Sequence, residues 1–173
     1  MDALRQELDQ IFSHYPEMYC TDGARKTRDE SLSIQEYISY VGIDNNLMQW
    51  EWGKGCLSTD FFKRHRDRIA EGGVRMFFNE VPSDSKETDI VLVDSVSGLD
   101  FTGTKCKVAV KDVSVTVEDN KVWAYGTATV IAIGKCDALM QDKSVFVGKS
   151  DKCGCELFGE AKACGKGFFY PLP

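Results

Sequence analysis

Leu4, Leu8, Ile11, Phe12 and Tyr15 recur at three- and four-residue steps, so residues 3–15 are expected to form an amphipathic helix that Pro16 stops. Residues 20–31 are polar, carry no period, and read as a loop. Ser33 and Glu36 stand in the relation of a capping box, which opens a second helix with Ile34, Tyr37, Ile38 and Val41 on one face and Gly42 as a left-handed cap. Leu47 to Trp52 alternates apolar and polar as a short strand would. Ser58 or Thr59 can cap a third helix over residues 60–71, which Gly72-Gly73 ends.

After Gly73 the period changes to two. Residues 74–81, 89–96, 107–118, 121–133, 144–148 and 168–170 are the strand candidates. Val113, Val115 and Val117 alternate with polar residues up to Asp119-Asn120, which is expected to turn the chain into a long antiparallel hairpin pairing Val117 with Val122. One face of it carries the valines with Ala124, Gly126, Ala128, Val130 and Ala132. The other carries Trp123, Tyr125, Thr127, Thr129, Ile131 and Ile133. Trp123, Tyr125 and Ile131 are too apolar for a solvated face, so a subunit contact in a homodimer is expected there. No internal repeat is evident, and one domain over residues 1–173 is expected.

Composition narrows the class. The 173 residues are 43% hydrophobic and 28% charged, as in an ordinary globular domain, and no apolar run approaches a membrane span. The net charge of −6 argues against a nucleic-acid partner, whose phosphates demand clustered Lys and Arg. The first residues have no uninterrupted apolar stretch of the signal-peptide kind. Seven scattered cysteines are an odd number, which fits reduced thiols in the cytoplasm. Cys153, Cys155 and Cys164 form the one local cluster, but its spacing suits a zinc knuckle poorly, so separate thiols are expected and no metal is assigned. Gly148-Lys149-Ser150 has the end of a phosphate loop, but Lys143 stands where the earlier glycine is required. No cofactor is expected.

Three helices followed by a long alternating sheet resemble the cone-shaped α+β superfamily of nuclear transport factor 2, ketosteroid isomerase and the polyketide cyclases. The resemblance is carried by residues 3–15, by residues 50–71 with Phe61, Phe62 and Ile69, and by the alternating stretches 108–117 and 122–130. It implies an α+β fold with N-terminal helices packed on a curved antiparallel sheet (cystatin-like), and a pocket inside the cone.

Within that expectation His65 follows Phe61 and Phe62 on the apolar side of its helix, where an imidazole could serve as a general base. A histidine bonded to a backbone carbonyl is the plainer alternative. Glu51, between Trp50 and Trp52, could have a raised pKa and move protons, or could simply be solvated. Tyr37, Tyr40, Trp50, Trp52, Phe61 and Phe62 would line a pocket for a small apolar or amphipathic molecule, or else form core. The run Lys63 to Arg68 reads as a solvated face. Two functions follow as expectations. One is a small-molecule-binding domain, with isomerase, dehydratase or cyclase-like proton transfer by His65 or Glu51 if the ligand is transformed. The other is a non-enzymatic interaction or dimerisation module using the outer sheet face.

Overall fold

A computed structural model describes residues 2–15 and 28–173. The chain forms two compact units, Met1–Arg75 and Met76–Pro173. The first is helical: α1 (Ala3–Ser13), α2 (Ile34–Tyr40), α3 (Asn46–Lys54), α4 (Thr59–Arg64) and α5 (Arg66–Glu71). Asp2 caps α1, and Leu4, Leu8 and Phe12 form its buried stripe. The capping box of Ser33 and Glu36 opens α2, and Ser58 caps α4. A Cβ at Gly72 would run into Ile38, so that glycine is needed where the end of α5 meets α2. Pro16 and Cys20 lie outside the described residues.

Two expectations for this unit are corrected. Leu47–Trp52 belongs to helix α3, not to a strand. Six residues of alternation cannot be told from part of a helix by period alone. The third helix is two helices, because the chain leaves helical geometry at His65, which ends α4 and begins α5.

The second unit is a parallel β-solenoid. Its strands are β1 (Met76–Phe78), β2 (Ile90–Val93), β3 (Leu99–Asp100), β4 (Lys107–Lys111), β5 (Ser114–Glu118), β6 (Lys121–Tyr125), β7 (Thr129–Ile133), β8 (Asp137–Met140), β9 (Val145–Gly148), β10 (Gly154–Leu157), β11 (Lys162–Gly165) and β12 (Phe168–Pro171). Sheet A has the order β1-β2-β4-β6-β8-β10-β12, and sheet B has β11-β9-β7-β5-β3. Every described pairing is parallel. Ile90 pairs with Lys107 and Val108 with Val122, steps of 107 − 90 = 17 and 122 − 108 = 14 residues that measure successive coils.

The interior is built from stacked columns. Val91, Val108, Val122, Ala138 and Cys155 follow one another in register on sheet A. Val115, Val130 and Phe146 do so on sheet B, and all eight side chains are buried. The outward side of sheet A is buried as well, at Ile90, Leu92, Ala109 and Tyr125, whereas sheet B shows Thr116, Ile131 and Val147 half-exposed. Corners between the sheets use left-handed residues: Asp112 has φ 59°, Gly126 62°, Asp119 58° and Gly134 71°. The Asp112 carboxylate accepts the Thr127 N–H (2.8 Å), and the Asp142 carboxylate accepts the Gly126 N–H (3.0 Å), so each aspartate ties its own coil to a neighbouring one.

This architecture overturns the antiparallel α+β cone and the resemblance to nuclear transport factor 2-like, ketosteroid isomerase-like and cystatin-like proteins. Residues 113–132 do not form a hairpin. Val117 pairs with Ala132 in sheet B, and Val122 pairs with Val108 and Ala138 in sheet A. Asp119, with positive φ, swings the chain from one sheet to the other instead of folding it back on itself. The coil also replaces the expectation of no internal repeat. Its length varies from turn to turn, which hides it from any fixed-period reading. Among the described residues no helix is long and apolar enough to cross a membrane.

Candidate functional site

His65 is only 7% exposed, and its ring packs on Phe61 at 4.9 Å between centroids. Its Nε2 lies 2.8 Å from Glu7 Oε2, while Arg64 donates to the other Glu7 oxygen. Burial raises the Glu7 pKa, but the hydrogen bonds and charges of His65 and Arg64 outweigh it and hold the carboxyl below its ordinary value. Arg68 donates to Asp2 (3.0 Å), and Arg5 donates to the carbonyls of Asp29 (2.9 Å) and Leu32 (2.6 Å). These contacts form a charged seam that ties α1 to the α4–α5 joint and to the segment before α2. The run Lys63 to Arg68, expected as a solvated face, thus has two arginines and His65 joined to α1.

Glu51 is 2% exposed on α3, its Oε2 has no hydrogen-bond partner, and burial pushes its carboxyl up to about 7. Trp50 on the neighbouring position is exposed. Trp52 is buried and donates from Nε1 to Thr59 Oγ1 (2.9 Å). Tyr37 is buried beneath the Arg5 guanidinium, 4.5 Å from its ring centroid. Phe61 and Phe62 are buried edge-to-face at 5.2 Å, and Tyr40 is half-exposed. These aromatics therefore divide between buried interior and surface. Trp123 and Tyr125 are buried on the outward side of sheet A, whereas Ile131 is half-exposed on the outward side of sheet B. The three are thus divided between the two sheets.

Cys153 and Cys155 are buried in the solenoid, but Cys164 is exposed. Among the described residues no group of three or more His, Cys, Asp or Glu side chains is placed to hold a metal ion. Cys56, Cys106, Cys136, Cys153, Cys155 and Cys164 are free thiols. Burial pushes the Cys136 thiol up to about 11 and the Cys155 thiol up to about 12, so neither is a ready nucleophile.

A cleft of about 740 Å³ lies at the corner where sheet B passes to sheet A in the early coils. Glu87 and Thr88 line it ahead of β2, residues 103–107 ahead of and into β4, and Glu118, Asp119 and Lys121 around the β5–β6 corner. Asn120, buried at that corner, holds its shape: its Nδ2 donates to the Cys106 carbonyl (2.9 Å) and to Thr104 Oγ1 (3.1 Å), and its Oδ1 accepts the Glu118 N–H (2.9 Å). Gly103, at φ 75°, donates its N–H to Glu118 Oε2 (3.1 Å), and Asp119 accepts the Lys135 N–H. Two of the three acids are thus engaged by backbone amides. Lys107 and Lys121 follow one another in the sheet A ladder, each one residue before the Val108–Val122 pair, and parallel neighbours stand about 4.8 Å apart. The Lys105 and Lys121 ammonium groups have no ion-pair partner among the described residues.

Sequence reading missed Lys105, Lys107, Lys121 and the threonines beside them. Each lysine is an ordinary surface residue in one dimension. Only the coil step of 14 residues brings Lys107 and Lys121 side by side. No protein-family model, curated protein or solved structure matches the chain.

Proposed function

We propose that the solenoid is a binding module whose corner cleft takes a small molecule carrying a carboxylate or a phosphate. The observation that carries this reading is the pair of unpartnered ammonium groups, Lys105 and Lys121, beside Lys107 in a cleft whose carboxylates Glu118 and Asp119 already accept backbone N–H groups. A bound anion would give the Lys105 and Lys121 ammonium groups a charge-assisted hydrogen-bond partner. A volume near 740 Å³ falls within the range of small-ligand sites. Glu87 at the same cleft suits a ligand that also carries a donor, such as a hydroxyl or amine.

Binding without turnover is favoured because the cleft lacks a poised nucleophile or base. Its one thiol, Cys106, is pushed up chiefly by burial, with the nearby Asp89 adding to the effect and the Thr104 contact opposing it. Proton transfer by His65 draws less support from the geometry, since Glu7 occupies its Nε2. The six free thiols among the described residues favour a reducing compartment such as the cytoplasm.

Calorimetric titration of the full chain with citrate and, separately, inorganic phosphate tests the reading. Saturable binding of either is expected, weakened at least about tenfold by Lys121→Glu. Absence of binding by both, or equal binding by the variant, would overturn it.

A further inference from the structure

The outermost strand of sheet A is β12, which pairs with β10 on one side only. In a parallel ladder alternate residues turn both N–H and C=O to the same side. Phe168 donates its N–H to the Cys153 carbonyl (2.9 Å), and Leu172 donates to the Leu157 carbonyl (2.8 Å). Phe168, Tyr170 and Leu172 thus face β10. Phe169, Pro171 and Pro173 face the open edge. Proline has no N–H, so two of the three outward positions offer no donor to an incoming strand.

We propose that Pro171 and Pro173 close this edge to strand addition by a second copy of the chain. The edge needs such a block. Phe168 and Tyr170 are 60% and 56% exposed on the same strand, an apolar surface that would add to backbone pairing once a partner strand docked. The other edges are protected differently. At the opposite end β1 spans three residues and β3 two, too short to template a long partner. On β11 the outward position 165 is a glycine at φ 88°, outside strand geometry, and Lys162 and Lys166 flank the edge. Among the described edge strands only β12 combines four ladder residues, exposed aromatics and ordinary strand geometry, and it is the one that carries prolines at the donor positions.

The test compares wild type with Pro171→Val/Pro173→Val by sedimentation velocity over a concentration series, after circular dichroism has shown equal β content. The variant is expected to gain a concentration-dependent species of at least twice the wild-type mass. The amide introduced at position 171 should be protected from hydrogen exchange in that species. Leu172→Val, which alters a position facing β10, should sediment as wild type does. Pro171→Ala/Pro173→Ala restores the same two donors with weaker strand propensity, and serves if the valine pair does not fold. Proline-free variants that sediment as wild type would overturn the proposal, as would an assembly in which position 171 exchanges freely.

Discussion

His65 Nε2 and Glu7 Oε2 meet at 2.8 Å across 58 residues of sequence, and this contact, with Arg64 on the second Glu7 oxygen, joins α1 to the break between α4 and α5. Its role is to hold helices together. Glu7→Gln is therefore expected to destabilise the chain by about 1 kcal/mol at neutral pH, measured by urea unfolding. Because the Glu7 carboxyl is held below its ordinary value of 4.5, it contributes stability above that pH. The contribution disappears as the pH falls through the lowered folded value. Wild type and Glu7→Gln should thus converge in acid. A gap that persists there would show that the charge is not the cause.

Glu51 behaves in the opposite sense. Its folded pKa of about 7 exceeds the ordinary 4.5, so between those values the folded chain holds a proton that the unfolded chain has lost. Stability then falls as the pH rises through this window. Glu51→Gln should match wild type near the bottom of the window and exceed it by about 3 kcal/mol above the top, read as a difference in thermal midpoint with pH.

Gly126 sits in left-handed geometry, with Asp112 so close that an added Cβ would strike its carboxylate. Gly126→Ala should cost more than about 2 kcal/mol, from the backbone strain and the displaced aspartate together. Asp112→Ala loses the bond to the Thr127 N–H and should cost about 1 kcal/mol. The double variant should cost less than the two single losses combined, since the carboxylate that obstructs the new methyl group at position 126 is then gone. Urea unfolding of the three variants against wild type reads out the non-additivity.

Phe146 fills the solenoid interior and meets Phe169 at 6.0 Å and 69°. Phe146→Ala should remove about 3–5 kcal/mol of stability, while Thr116→Ala on the outward side of sheet B should change it by less than about 1 kcal/mol. Denaturant unfolding distinguishes the two.

Local signals were legible in the sequence. The Ser33–Glu36 capping box, the Ser58 cap and the Leu4–Leu8–Phe12 stripe all stand as the residues dictate. So does the inward set Val115, Val117, Val122, Ala124, Val130 and Ala132, because alternation fixes which side chains share the interior. What alternation does not fix is the partner strand. An arc between two stacked sheets and a hairpin within one sheet give the same inward and outward pattern, and Asp119-Asn120 suits a turn of either kind. Parallel pairing rests on register between coils of unequal length, which no single stretch of sequence displays. The same blindness hid the cleft. Lys105, Lys107 and Lys121 become one group only after the coils are stacked, and Asn120, their organiser, resembles a hairpin residue until its bonds to Thr104 and Cys106 are seen.

Amide NMR of the full chain during titration with citrate tests whether the corner cleft holds an anion. Binding in the cleft predicts saturable shifts confined to residues 87–88, 103–107 and 118–121, lost in Lys105→Glu/Lys121→Glu with the rest of the spectrum unchanged. Shifts elsewhere on the chain, or the same shifts in the double variant, would contradict it.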